Sequence, residues 1–235
     1  MDIRWLNSAL EGSFTNRFNL MPDPSITKMS EVKVLGISGS PRKGRNTEAL
    51  LGAALKAAGE SGAATELLSL GELSILPCKG CNGCVRERRC PQDEEDDMTE
   101  VKGRLLEADA IIFAAPSYFG SVPGVMKNLM DRSRSLKMDG HRLKDKVASA
   151  LSLSGLRHGG QEQVAEDLVR FALMHCMVVV GSCGDPLSSG YFGLAALQGD
   201  GGWRRAGDDA LALENARGVG RRVVEVARAL KGDRG

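Results

Sequence analysis

The 235-residue sequence predicts an α/β fold: a doubly wound, five-stranded parallel sheet with helices on both faces. Three observations carry this. Strand-like and helix-like patterns alternate five times, the arrangement of a parallel sheet built from right-handed crossovers. The first strand runs into a loop rich in glycine and hydroxyl side chains that opens an amphipathic helix. The third strand is a nearly unbroken apolar run, as expected of a central strand buried on both faces.

Taken in order, residues 1–31 lack periodicity, carry Pro22 and Pro24, and scatter Trp5, Phe14, Phe18 and Leu20 among polar side chains. They read as an N-terminal extension to a domain spanning 32–235. Val34, Leu35 and Ile37 form the first strand, followed by Gly39-Ser40-Pro41-Arg42-Lys43-Gly44-Arg45-Asn46-Thr47. Leu50, Leu51, Ala54, Leu55 and Ala58 then share one helical face. Strand, loop and helix form an anion site, because the helix N-terminus offers unpaired N–H groups and the glycines admit close approach. The loop lacks the Gly-x-Gly-x-x-Gly spacing and any Gly-Lys-Ser/Thr, so it suits a terminal monophosphate better than a bridging pyrophosphate. The plainer alternative is a turn whose Asn46 or Thr47 merely caps the helix.

A second strand at 64–70 leads into the segment 78–97. There Cys78, Cys81, Cys84 and Cys90 fall inside thirteen residues as Cys-x2-Cys-x2-Cys-x5-Cys, with Pro91 next. Thiols at that density are bridged to one another, ligate a metal, or react. Asp97-x-x-Glu100 reads as a capping box on a helix with Met98, Val101 and Leu105 on one face, so the acids of 93–97 are assigned to caps and a solvated surface.

The third strand, 108–115, ends in Pro116-Ser117-Tyr118-Phe119-Gly120-Ser121, and the fourth, 147–153, in Ser154-Gly155-Leu156-Arg157-His158-Gly159-Gly160. A fifth strand at 177–180, a glycine-rich loop at 184–207 and a helix through Leu213, Val223, Ala227 and Leu230 complete the chain. Ligands of such folds bind beyond the carboxyl ends of the strands where strand order reverses. The loops at 38–47, 116–124 and 154–160 all lie on that edge. Cys176 and Cys183 read as buried core thiols.

Composition narrows the function classes. A net charge of +1 and the absence of a basic stripe with interleaved aromatics argue against nucleic acid. Apolar runs fall short of the roughly 18 residues of a membrane span. The first thirty residues hold no basic segment followed by an apolar core, so the expected compartment is the reducing cytoplasm, where disulfides are disfavoured.

Gly-Ile-Ser-Gly-Ser-Pro-Arg at 36–42 with Asn46-Thr47, Pro-Ser-Tyr-Phe-Gly at 116–120 and Met-Lys-Asn-Leu-Met-Asp-Arg at 126–132 resemble the NADPH-dependent FMN reductase superfamily. With the compact cysteine motif and Asp96-Asp97-Met98, the chain is similar to the iron-sulfur flavoproteins within it. The resemblance implies a flavodoxin-like fold, FMN, and one 4Fe-4S cluster per subunit of a homodimer or homotetramer, the cluster near an FMN of a neighbouring subunit. By position, Ser38, Ser40, Arg42, Asn46 and Thr47 would hold the FMN phosphate. Pro116, Ser117, Tyr118 and Phe119 would flank ribityl chain and ring, and Ser154, Gly155 and Gly159 would close the opposite edge. Core packing is the alternative for the two aromatics.

Cys78, Cys81, Cys84 and Cys90 are the candidate metal ligands. Four-iron clusters take four thiolates, and a related Cys-Pro-ending run occurs in two-cluster ferredoxins; structural zinc more often uses two separated Cys-x2-Cys pairs. A redox-thiol loop is the third option. Gly80 and Gly83 stand where a tight wrap calls for positive φ. His158 is a candidate contact to flavin or substrate, and Asp131-Arg132 is read as an interface ion pair. No nucleophile, base and orienter come together, as flavin chemistry permits. The expected function is electron transfer between cluster and FMN, from a ferredoxin-like donor to a small-molecule acceptor. The alternatives are an NAD(P)H-dependent FMN or quinone reductase, in which NAD(P)H is a transient reductant, and a redox sensor that binds a partner protein.

Overall fold

The computed structural model describes residues 31–187 and 189–232, so the expected N-terminal extension lies outside the described residues except for Glu31. The first half of the chain forms β1 (Val32–Ser38), α1 (Asn46–Glu60), β2 (Ala63–Ser69), the short α2 (Gly83–Arg86) and α3 (Met98–Glu107). There follow β3 (Ala110–Pro116), α4 (Gly124–Arg132), α5 (Arg134–Met138), β4 (Val147–Ser154) and α6 (Gln161–Met174). The remainder is β5 (Val178–Val179), β6 (Gly193–Ala196), β7 (Gln198–Gly199), β8 (Gly202–Trp203) and α7 (Ala210–Gly232), with 3-10 turns at Leu70–Glu72 and Ala206–Asp208.

The sheet order is β2-β1-β3-β4-β5, with every pairing parallel. This is the flavodoxin-like order, and its switch point falls between β1 and β3. The strand patterns follow from burial on two sides. In β3, Ile111, Phe113 and Ala115 join the core under α3, α4 and α6, while Ala110, Ile112 and Ala114 join the core under α1 and α7. Alternate side chains leave opposite faces, so a strand covered twice reads as a continuous apolar run. On α1, fully buried Leu50 and Leu51 each contribute roughly 1.5–3 kcal/mol.

The fifth position departs from the sequence expectation. β5 has only two residues, and the edge beside β4 is completed by β6, which pairs Leu151 to Ser154 with Gly193 to Ala196. The sheet therefore counts six strands, with an excursion over 180–192 separating the two pieces of its edge. With so little strand between them, Cys176 lies in a turn and Cys183 in the following loop, and both are exposed, contrary to the buried-thiol expectation. No helix among the described residues is long and apolar enough to cross a membrane.

Candidate functional site

At the switch point, β1 ends in Ser38, which is fully buried and whose Oγ has no hydrogen-bond partner. Ser40 is also buried, its Oγ accepting from the Arg42 N–H at 3.1 Å and so bending the loop back on itself. The start of α4 presses on the loop, since a Cβ at Gly39 would stand 2.6 Å from Met126 Cε. The N-cap of α1 is Arg45, with no side-chain cap, so the capping alternative for Asn46 and Thr47 is not what forms. Thr47 is buried, and Asn46 Oδ1 accepts the Ala206 N–H at 3.0 Å, leaving its amide nitrogen available to donate. A hollow of about 510 Å³ opens here, lined by Gly44, Arg45, Asn46 and Arg205 among others. The uncapped helix N-terminus and the guanidinium groups of Arg45 and Arg205 suit an anion, although Asp208 shares the lining and the buried Ser38 does not reach it.

The second and third loops are joined directly. Ser117 N–H donates to Leu153 O at 2.7 Å, and Ser117 Oγ donates to Gly159 O. Gly160, at φ +87°, lies so close that an added Cβ would stand 2.8 Å from Gly120 Cα. Tyr118 and Ser121 exchange backbone hydrogen bonds across a turn whose central residues, Phe119 and Gly120, have φ of 51° and 79°. Both central φ values are positive, as in a type I′ turn. Tyr118 is 41% exposed and Phe119 wholly exposed, so neither packs in the core. An aromatic ring held outward on a left-handed residue is a costly arrangement for a turn that serves only as a connection.

Ser154 is used differently from expectation, because its Oγ faces its own loop, with Leu156 O and Gln161 Oε1 both in reach of its one hydrogen. Gly159 N–H also donates to Gln161 Oε1, so both residues shape the loop. Gly155 lies beside a ring that sequence reasoning missed: a Cβ there would meet Trp203 Cζ3 at 3.6 Å. Trp203 sits on the hairpin of β7 and β8, which Gln198 N–H anchors to Gly155 O at 2.9 Å. A tryptophan in a glycine-rich stretch was the available signal. His158 is exposed on this loop.

The cysteine segment projects from a stem. Asp97 Oδ2 accepts the Ser74 N–H and Asp96 Oδ2 the Leu76 N–H, while Gln92 bonds both Lys79 N–H and Pro77 O. Asp97 is thereby drawn away from the helix it was expected to cap, and no side-chain cap forms on α3. The acids are not a uniformly solvated face either. Arg132 Nη1 donates to Asp96 at 2.7 Å and Nη2 to Asp93 at 3.0 Å, with the guanidinium fully buried. The expected interface pair is therefore an internal clasp, and Asp131 pairs with Lys127 instead. Burial works to raise the Asp96 pKa, but the hydrogen bonds from Arg132, Leu76 N–H and Met98 N–H outweigh it and hold the carboxyl below its ordinary value.

Cys78, Cys81, Cys84 and Cys90 line one shallow hollow together with Gln92, Asp131, Arg132 and Arg134. Gly80, at φ +66°, makes the expected tight wrap and donates its N–H to Cys78 Sγ at 3.4 Å. Gly83 serves otherwise: a side chain there would strike Pro91, and the left-handed residue is Asn82 at φ 58°. No three His, Cys, Asp or Glu side chains among the described residues converge on a point for one metal ion. Zinc would gather its thiolates about 2.3 Å from a single centre, whereas a cube spreads four thiolates over four irons. The four cysteines that line one hollow supply the number of thiolates such a cluster takes.

A larger, mostly apolar hollow of about 600 Å³ lies between α4–α5 and α6, lined by Met130, Met138, Phe171 and His175. Only Ser121 and Val122 connect it to the carboxyl-edge loops.

Comparisons with known proteins agree with this fold. The model of the NADPH-dependent FMN reductase family matches residues 32–184. The chain is 40% identical over 200 residues to an iron-sulfur flavoprotein of Archaeoglobus fulgidus, covering 85% of this chain and 98% of that one. It is 31% identical to an NAD(P)H dehydrogenase (quinone) of Paracoccus denitrificans, covering 79% of this chain and 89% of that one. Among solved structures, the NAD(P)H:quinone oxidoreductase from Methanothermobacter marburgensis superposes with a TM-score of 0.58 at 20% identity, covering 82% and 96% of the two chains; at that identity the match speaks to the fold. The sequence thus belongs to the NADPH-dependent FMN reductase family and, within it, to the iron-sulfur flavoproteins.

Proposed function

We propose that this FMN-dependent oxidoreductase exchanges electrons between a 4Fe-4S cluster held by Cys78, Cys81, Cys84 and Cys90 and an FMN bound at the switch point. When bound, the two groups together supply an interface between one-electron and two-electron chemistry. The supporting observation is the placement of the four thiols: they line one hollow on a stem clasped by α4, the helix that begins at Gly124, just beyond the turn closed by Tyr118 and Ser121.

On this reading the chain's residues position and do not react. The N-terminus of α1, Ser38 and the loop through Thr47 hold the phosphate; Ser117, Tyr118 and Phe119 flank ribityl chain and ring; Trp203 and Gly155 shape the far wall. The donor is a ferredoxin-like protein, the acceptor a small molecule, and the assembly a homodimer or homotetramer. Anaerobic purification with iron, sulfide and FMN counts tests the cofactors: four irons and one flavin per chain are expected, and zinc without iron would overturn the cluster. Stopped-flow mixing with reduced ferredoxin tests the direction, and cofactors that stay oxidised would refute it.

A second reading, an NAD(P)H-dependent quinone reductase with a structural cluster, is favoured by the likeness to quinone dehydrogenases. It predicts steady-state turnover with NADPH that survives Cys81→Ala undiminished.

A further inference from the structure

Arg132 is the last residue of α4, a position where a cation ordinarily reaches solvent, yet its side chain has no exposed surface. Burying a guanidinium is costly unless its donors are met. Four contacts answer most of that demand: Nη1 donates to Leu76 O at 3.1 Å and Asp96 Oδ2 at 2.7 Å, and Nη2 donates to Asp93 Oδ1 at 3.0 Å and Asp96 Oδ1 at 3.3 Å. Leu76 precedes the cysteine segment and both aspartates follow it, so one side chain holds the two ends of the stem together. Lys102 pairs with the other oxygen of Asp93, and the two cations and two carboxylates balance.

One donor is left over. Arg132 Nε is buried and has no acceptor. An unmet buried donor is destabilising, and a merely structural clasp gives no reason to keep it. Arg132 also lines the hollow that the four thiols line, Cys90 among them. Cys90 is the ligand farthest along the chain from the other three, and the stem contacts of Asp93 and Asp96 lie just after it.

Resting on the reading that these thiols ligate an iron-sulfur cluster, we propose that Arg132 is a positioning residue for Cys90, one that clasps the stem and offers its Nε–H to the cysteine sulfur, holding the bound cluster at a higher reduction potential. Reduction adds negative charge to cluster and sulfurs, so a hydrogen bond to a ligating sulfur favours the reduced state. Asp93 and Asp96 cancel the longer-range field of the guanidinium, which leaves the local N–H as the operative part. Lysine would keep the charge but not the fork together with a further N–H.

The test compares wild type, Arg132→Lys and the charge-balanced double variant Arg132→Gln with Asp96→Asn. Each is purified anaerobically, counted for iron and sulfide, and titrated potentiometrically by EPR, with the FMN couple followed in the same sample. Both variants are expected to show a reduced-to-oxidised cluster ratio about tenfold lower at a fixed potential, equivalent to about 59 mV for one electron, with the FMN couple unmoved. Variants that load four irons and titrate like wild type would overturn the role of Arg132 alone. A wild type without iron would overturn the cluster reading beneath it. If the double variant fails to load, Arg132→Lys decides by the same criterion.

Discussion

Protonation of His175 should destabilise the fold on mild acidification. The residue is buried at the end of α6, its ring edge-on to Phe171 at a centroid distance of 5.0 Å. Ser133 Oγ donates to Met130 O at 2.8 Å, which uses its only hydrogen, so the 2.9 Å contact with His175 Nε2 has the imidazole as donor. Nδ1 is then the bare nitrogen, buried and without a partner. A second proton there would put a cation in an apolar site with no acceptor. Burial first, and the charges of Lys137 and His141 after it, push the pKa down from 6.5 to about 4. Because the folded state resists the proton that the unfolded state accepts, stability is full above about 6.5 and falls as pH drops towards 4. Integrating that difference gives a loss of about 2 kcal/mol between pH 7.5 and 5.0. Urea titrations at the two pH values measure it directly, with His175→Gln as the control that should abolish most of the difference. Equal pH dependence in wild type and variant would refute the tautomer assignment and the burial argument together.

Two further substitutions probe close backbone approaches. Gly160→Ala adds a Cβ at φ +87°, 2.8 Å from Gly120 Cα and 3.0 Å from Ser117 Oγ; strain and overpacking together should cost roughly 2–4 kcal/mol. Fluorescence titration should show FMN affinity weakened by about tenfold or more, and wild-type affinity would separate these loops from the flavin. Gly220→Ala would put a methyl 2.0 Å from Ala54 O where α7 crosses α1; overpacking of about 1–3 kcal/mol should exceed the roughly 1 kcal/mol gained in helix propensity, and a raised melting temperature would contradict the packing.

What the sequence made legible follows from where the information lies. β3 is readable because both of its faces are covered, so each residue from Ala110 to Ala115 reports burial without reference to any partner. The loop of 38–47 is readable because turn and helix-start chemistry are local. The split edge is not: β5 and β6 are two and four residues long and become one edge only through their separate pairings with β4. The stem was missed for a related reason. Arg132 stands 36 residues from Asp96 and 39 from Asp93, and charged residues taken singly belong to the surface. Asp97-x-x-Glu100 has the spacing of a capping box, but the Ser74 N–H competes for the Asp97 carboxylate and wins. Cys81 and its three companions were legible as a set, whereas the role of Arg132 in clasping the stem on either side of them was visible only in space.

That residue gives α4 its place in the molecule. At one end the helix follows the Tyr118–Phe119 turn and lays Met126 against Gly39 of the phosphate-type loop. Along its length Asn128 donates to Ile75 O at 2.7 Å, and at its end Arg132 gathers Leu76, Asp93 and Asp96. Nine helical residues span about 13 Å, so a single rigid element that follows the aromatic turn in the chain joins the 38–47 loop to the cysteine stem. Leu129, fully buried, fixes the helix to the sheet between these contacts. Clasped to the end of a packed helix, the stem takes its register from the same element that packs against the 38–47 loop. The clasp requires a buried cation, and a buried cation requires the two aspartates, which is why the acidic run follows the fourth cysteine so closely in sequence.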